Sequence, residues 1–588
     1  MWLTRFLLCA LLCFHRLFVA DARSDVYSEE LVIKRLPSQN MAAHFRFTTT
    51  SAELGVHYDL FPRVIGEFVT TYNLSELHLS LTQGIWRTDY WGFAPQPSSP
   101  SGAQVYAWFD GDSSSVDERW ANLVHSLSGF FCTSLLQIVP GLTARPQLSF
   151  RPAGAVSTGI VDFSMGRYAA LSSEPVCTEN LTPWKKLLPC KEAGISSLLH
   201  PIKFYEAQYH SLSVDVIQLC PNGASTCARP NWQVSQNLLV VTDLPLGSKV
   251  LNWNLRSLFD GEIYKKCDLA KSSHILAEVD DQLNPEYSHT PDATLKFRDG
   301  RKFVSFDVSK TKLPLNVGAK YKDRLKVKSP NPPSISIHSY IGGSGQQDGQ
   351  IVTRLVNRDE ANHRAVYTHV IPWFLRVYYH TIEMDCEGGN SNAIGEGVIQ
   401  TKKFTPAKDR GAPYLLELDV NLPAQSTCHL SIDFDKSFLR WTEYPPDANK
   451  GFFVPPPSLV FRPTDWSNVT VLGGQRTTTM EELNGAVTSP LVVMYGEALL
   501  VSLPTPDFSM PYNVICLVCT VIALCFGPIH SLTTKCLLLK FEDKDAPQTL
   551  LGKLKAKLMK IVDKVRRKGK AVESADVKKK DEVSKKTD

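Results

Sequence analysis

The chain lacks the short signatures that most often carry chemistry. Its 588 residues contain no His-Glu-x-x-His, no Gly-x-Ser-x-Gly, no phosphate-binding glycine loop and no paired Cys-x-x-Cys zinc spacing. Gly342-Gly343-Ser344-Gly345 misses the final glycine of a nucleophile elbow and reads as a turn. Asp110-Gly111-Asp112 offers two carboxylates but none of the further oxygen ligands of a Ca²⁺ loop. His78, His125, His200 and His380 are scattered and read as solvated or hydrogen-bonded side chains rather than as a ligand set. No metal and no cofactor is expected, and no repeat of fixed period is present. An excess of one charge is also missing from most of the chain. Residues 535–588 hold 17 Lys/Arg against 9 Asp/Glu, a net +8, so the +4 of the whole leaves −4 for residues 1–534. A nucleic-acid-binding body needs the opposite balance.

Long hydrophobic runs are scarce, and the two that exist set the expected topology. Met1 to Arg5 is a basic start, Phe6 to Phe14 is apolar, and the small residues Ala20 and Ala22 follow, so residues 1–22 read as a signal peptide. Tyr512 to Leu532 supplies about the 20 apolar residues that a helix needs to cross a bilayer. A transmembrane helix is therefore expected over 510–533, with a basic cytosolic tail over 534–588 that begins at Lys535 and Lys540. The body between the two runs is then luminal, in a single-pass type I arrangement. Leu554, Leu558, Ile561 and Val562 recur at helical spacing among lysines in the tail, as in a basic helix lying on an anionic membrane surface. The chain ends Lys585-Lys586-Thr587-Asp588, which resembles a dilysine retrieval signal and favours the endoplasmic reticulum membrane.

Apolar residues make up 43 % of the chain, with 11 Trp, 19 Tyr and 28 Phe, enough for more than one core. Leu77/Leu79/Leu81, Leu212/Val214/Val216, Leu416/Leu418/Val420/Leu422 and Leu430/Ile432/Phe434 alternate with polar residues, as strands with one wet face do. Helices are expected from Ser115 to about Leu136, with a Ser115/Glu118 capping box, and from Pro62 to Tyr72. The fold expected is mainly β: a mixed, β-rich N-terminal domain with helices over 23–285, then an all-β sandwich-like domain over 286–509. Asn73, Asn180 and Asn468 head glycosylation sequons on the expected luminal side.

Of 14 cysteines, eight fall in the oxidising lumen: Cys132, Cys177, Cys190, Cys220, Cys227, Cys267, Cys386 and Cys428. A Cys386–Cys428 bridge fits two strands of the second domain, and Cys132 reads as a buried thiol beside the helix stripe. Five cysteines then remain in the first domain, an odd number. Cys190, Cys220, Cys227 and Cys267 allow three pairings.

Several stretches are similar to the T subunit of the glycosylphosphatidylinositol (GPI) transamidase complex, the PIG-T family. They are Leu77 to Thr88 (LHLSLTQGIWRT) with Tyr90-Trp91-Gly92, Val176 to Cys190 (VCTENLTPWKKLLPC), Arg440-Trp441-Thr442-Glu443-Tyr444, and Leu503 to Cys516 (LPTPDFSMPYNVIC). The resemblance implies a non-catalytic subunit of the enzyme that attaches GPI anchors to precursor proteins in the endoplasmic reticulum. It also implies a caspase-like catalytic subunit, K, joined by a disulfide at the position of Cys177, together with subunits S, U and GPAA. An intrachain Cys177–Cys190 bridge competes with that tether. Pro511, Tyr512 and Asn513 at the start of the span are candidate contacts for the GPI lipid, and the precursor peptide is a further candidate partner. The competing reading from the residues alone is an independent luminal chaperone or glycan-binding membrane protein.

Overall fold

The computed structural model describes residues 25–564 apart from 37–39, 53, 55–57, 96–97, 155–161, 221–229, 244–251, 280–286, 291–293, 299–300, 322–331, 344, 346, 389–397, 446, 464–490, 506, 508, 536–551 and 553. The expected signal peptide, Cys227, Asn468, Lys585 and Lys586 lie outside the described residues.

The described body is strand-rich, as the alternating patterns require. Its largest sheet has ten strands, in spatial order Thr294–Arg298, Arg301–Asp307, Ala270–Glu278, Val26–Arg35, Asn40–Ser51, Asn231–Asp243, Tyr209–Leu219, Leu74–Gln83, Gly102–Phe109 and Gly166–Leu171. All neighbours are antiparallel except Val26–Arg35 with Ala270–Glu278. Three helices, Arg63–Tyr72, Val116–Phe131 and Thr178–Lys186, bury their apolar stripes with Leu77, Leu79 and Leu81 in one core. Trp120, Leu123, Val124, Leu127 and Phe131 form the stripe of the longest of these, as their spacing predicts.

That helix departs from expectation at both ends. The Ser115/Glu118 capping box does not form: the Ser115 hydroxyl donates to the Asp112 carbonyl at 3.1 Å, while Asp112 accepts the N–H of Ser114 at 3.0 Å. At the other end the helix stops at Phe131, because Cys132 adopts the left-handed conformation with φ 55°. Leu135 is still buried, but from a separate 3₁₀ turn.

The polar side of Leu74–Gln83 is not wet. Glu76, His78, Ser80 and Thr82 are all buried. The loop that reaches Ala153 and Gly154 folds over this face, and the second β body packs beside it through Tyr168 and Ala170 against Val370 and Leu415. Alternation therefore marked the correct period, while tertiary packing covered the second face.

The second body is a sandwich. One sheet contains Ile335–Gly342, Asp348–Asn357, Ser426–Lys436, Leu375–Val377 and Glu383–Gly388. The facing sheet contains Ile399–Thr405, Tyr414–Leu422, His363–Ile371, Ser458–Phe461 and Val492–Tyr495. Inward residues such as Ile337, Leu355, Leu430, Tyr367, Leu416 and Leu418 fill the space between. The join with the first body falls later than 285. Strands Thr294–Arg298 and Arg301–Asp307 extend the ten-stranded sheet, and Gly318–Tyr321 pairs with Tyr287–Thr290 and Trp253–Asn254. Val304, Phe306 and Ala319 are part of the first core, so pairing and burial keep this proline-bounded stretch out of the sandwich.

The two β bodies are fastened by buried polar contacts. Glu417, on a sandwich strand, is 1 % exposed and accepts the N–H groups of Gln147 (2.9 Å), Leu148 (2.9 Å) and Ser149 (3.1 Å), plus the Ser149 hydroxyl (3.1 Å). A buried carboxylate is tolerable only when its lone pairs are so satisfied. Ser98 donates to the Val493 carbonyl and Gln104 to the Tyr495 hydroxyl across the same junction.

Ser509–Thr534 is a 26-residue helix of mean hydropathy 2.2, the one candidate span among the described residues. Pro511 lies in its first turn, where a missing N–H breaks no helical bond. Residues 554–564 are also helical and expose Leu554, Leu558, Met559, Ile561 and Val562.

Candidate functional site

Cys177 occupies the N-cap of helix Thr178–Lys186, in extended conformation with φ −130° and ψ 175°. Its backbone is fixed on both sides. The N–H donates to the side-chain oxygen of Asn180 at 2.7 Å, and the carbonyl accepts the Tyr205 hydroxyl. Its thiol is free and half-exposed. An asparagine three residues past an N-cap is the spacing of a capping box, so this arrangement has a sequence signal that the sequence reading passed over.

The helix itself is anchored from below. Leu181 and Trp184 are buried, the Trp184 indole donates to the Ser213 carbonyl at 2.9 Å, and Gln236 donates to the Trp184 carbonyl at 2.9 Å. Phe47 meets the indole edge-on at 6.1 Å. Just beyond, Cys190 is bonded to Cys267, with Cα atoms 5.9 Å apart. The segment therefore presents a free thiol on a braced element, held by packing and a disulfide at its far end.

The Cys190–Cys267 bond rules out the competing Cys177–Cys190 bridge. Cys386 and Cys428 are bonded to each other as a directly opposed cross-strand pair. Cys220 is also disulfide-bonded. Among the described residues of the β bodies, Cys132 and Cys177 are the free thiols, which matches the expected thiol at Cys132 plus one odd cysteine. Cys132 is exposed rather than buried, because its left-handed cap turns it out of the helix stripe.

Asn180 is not available for a glycan in this fold. It is 1 % exposed, and its amide nitrogen donates to the carbonyls of Phe131 (2.8 Å) and Cys132 (3.1 Å). Sugar attached to that nitrogen would displace both bonds and needs space the core does not have. Asn73 contrasts with it: exposed at the C-cap of helix Arg63–Tyr72, with φ 51° and its amide donating to the Asp110 carbonyl at 2.9 Å. Pro511, Tyr512 and Asn513 lie within the first five residues of the apolar helix. The backbone carbonyls of Asp110 and Asp112 accept the Arg119 guanidinium.

The strongest buried charge cluster lies away from Cys177. His78 bonds Asp215 through Nδ1 at 2.8 Å and Glu76 through Nε2 at 2.6 Å, with Tyr106 stacked on the ring at 4.2 Å. Burial alone would lower the imidazole, but its bonds to the two carboxylates outweigh this and push it up to about 9. Both ring nitrogens are occupied and the group is sealed from solvent, so the ion holds the sheet together and has no free nitrogen to act as a base.

A β-rich body and, among the described residues, one apolar helix long enough to cross a bilayer fit a single-pass membrane protein. The model of the Gpi16 subunit family, a GPI transamidase component, matches residues 10–250 and 244–562. The human GPI-anchor transamidase component PIGT is 38 % identical over 547 residues, covering 88 % of this chain and 91 % of that protein. The Saccharomyces cerevisiae GPI transamidase component GPI16 is 28 % identical over 595 residues, covering 92 % and 93 %. Among solved structures, the collagen-binding domain of the Erysipelothrix rhusiopathiae surface protein RspB aligns with 82 % of this chain and 97 % of its own at 8 % identity and TM-score 0.18, too low to carry an argument. The chain belongs to the Gpi16 family of GPI transamidase components.

Proposed function

We propose that this chain is a non-catalytic subunit of GPI transamidase in the endoplasmic reticulum membrane, which holds and orients the caspase-like subunit K through a disulfide from Cys177. Its body is luminal, its basic tail cytosolic, and its further partners are subunits S, U and GPAA. Pro511, Tyr512 and Asn513 contact the GPI lipid where the span enters the bilayer. The observation that carries the reading is the free thiol of Cys177 on a backbone fixed at both its N–H and its carbonyl. A tether works best from such an element, since a covalent link raises the effective concentration of a weak interface only where its geometry is defined. Family membership supplies the complex in which that thiol would find its partner.

The test is a non-reducing gel of the complex purified from membranes, comparing wild type, Cys177→Ala and Cys132→Ala, with mass spectrometry of each band. A reducible band containing this chain and the caspase-like subunit, lost with Cys177→Ala and retained with Cys132→Ala, supports the tether. A band that is absent, or that survives Cys177→Ala, overturns it. The non-catalytic role fails separately if the purified chain alone transfers a precursor carboxyl to an amine acceptor.

A further inference from the structure

The run Arg440 to Tyr444, singled out in the sequence, takes no part in the site around Cys177. In the structure it belongs to a platform on the sandwich that shows two large rings to solvent. Phe438 is 77 % exposed and Trp441 is 53 % exposed, with Arg440 exposed between them. Large apolar side chains held out in this way call for a cover.

The platform is rigid. Ser437 donates its N–H to the Phe374 carbonyl at 2.9 Å, and Leu439 packs onto the sandwich core. Glu443 accepts the N–H of Arg440 at 2.8 Å and pairs with the Arg410 guanidinium, which lies 4.8 Å above the Trp373 ring. The Tyr444 ring meets Phe452 at 5.8 Å, and its hydroxyl donates to the carbonyl of Pro504. Because the loop is ordered before anything binds, association loses little further conformational entropy.

The bond to Pro504 points to what covers the rings. Ser509, where the apolar helix begins, lies five residues further along the chain. A fully extended chain spans at most about 3.6 Å per residue, so the leash from Pro504 is no longer than about 18 Å. The polar layer outside the hydrocarbon core is itself about 5–8 Å thick on each side. Tryptophan is enriched in that layer, phenylalanine inserts below it, and arginine can bury its stem while its guanidinium meets lipid phosphate. The residues on the platform match those requirements, and Tyr444 bonds their loop to Pro504, where that leash starts.

We propose that Phe438, Arg440 and Trp441 form a second membrane anchor, which enters the phospholipid headgroup layer of the bilayer that Ser509–Thr534 crosses. Anchored at both points, the body is held at one inclination to the membrane instead of swinging on a single helix. The inference does not depend on the disulfide of Cys177.

The experiment places p-benzoyl-phenylalanine at Phe438 or at Trp441 of the full chain, expressed in cells with its partner subunits. The exposed Tyr264 and Ile202, which are 67 % and 71 % exposed, serve as control positions. After irradiation, peptide mass spectrometry reads the adducts. Phospholipid adducts at 438 and 441, with none at 202 and 264, are expected. Adducts to a protein chain at 438 and 441, or no adduct there, would overturn the proposal, the first outcome assigning the platform to a subunit interface. An aromatic replacement at an exposed site leaves the fold intact, and retention of the Cys386–Cys428 bond in each variant checks this.

Discussion

The side-chain oxygen of Asn180 accepts the backbone N–H of Cys177 at 2.7 Å. The nitrogen of the same amide donates to the carbonyl of Cys132 at 3.1 Å, so one buried side chain ties together the backbones of the two free cysteines described in the β bodies. A sequon asparagine has here become a structural clamp. Glycopeptide mass spectrometry of the mature protein should find Asn73 available for glycan and Asn180 unmodified. Asn180→Ala should destabilise the body by about 1–3 kcal/mol through unpaired buried backbone groups, read as a lower Tm, and should loosen Cys177 enough to raise its alkylation rate.

Cys190 and Cys267 are 77 residues apart in sequence. In the chain-entropy account, closing a loop of that length removes about 4.5 kcal/mol of denatured-state freedom. The Cys190→Ala/Cys267→Ala double variant should therefore unfold well below wild type, and limited proteolysis should cut first beyond helix Thr178–Lys186.

Glu417 satisfies three backbone N–H groups and a hydroxyl from the opposite β body. Replacing it by Ala strands those donors at about 1–3 kcal/mol for each one that stays buried and unpaired. Calorimetry should show the first and second bodies unfolding separately in Glu417→Ala where wild type shows one transition.

Glu29 is pushed up to about 7 by burial, an effect only partly offset by its bonds to Ser273 and the N–H of Ile195. Between the ordinary carboxyl value of 4.5 and about 7 the folded state keeps a proton that the unfolded chain has released. Stability from this group therefore falls as pH rises through that window and is level above it. Glu29→Gln should remove this slope and raise Tm at pH 8, by up to about 3 kcal/mol in stability.

His78 works over a higher window. Its folded value of about 9 exceeds the ordinary 6.5, so its stabilisation is complete below 6.5 and is lost as pH rises to about 9. His78→Asn leaves Glu76 and Asp215 facing each other without the cation, at a cost of about 3–5 kcal/mol. Its Tm should lie far below wild type at pH 6 and approach it by pH 9.5; a constant gap would show that the imidazole is neutral in the fold.

Local signals were legible where one segment determines its own structure. The apolar length of Tyr512 to Leu532 matches the helix Ser509–Thr534, and the spacing of Trp120, Leu123, Leu127 and Phe131 gave the helix face. Cys386 and Cys428 were placed together because the first ends one expected strand and the second begins another. Other features depended on residues far apart in the chain. Cys190 pairs with Cys267 because the loop after helix Thr178–Lys186 returns to the edge of the strand Ala270–Glu278, which no spacing encodes. The strands Thr294–Arg298 and Arg301–Asp307 lie beyond 285, where the sandwich was expected to begin, and only pairing with Ala270–Glu278 assigns them to the first sheet.

The sequence by itself determined the strand-rich class, the apolar span, the charge asymmetry and the family, since each rests on composition, period or an unbroken motif. Tertiary structure alone decided that Cys190 pairs with Cys267, that Asn180 is buried and that the polar side of Leu74–Gln83 is covered. It also decided that Glu417 locks one β body to the other. The physical reason is the same in each case. Burial and bond partners are properties of which distant segments meet, and a local pattern constrains the face a residue points to without naming what will lie against it.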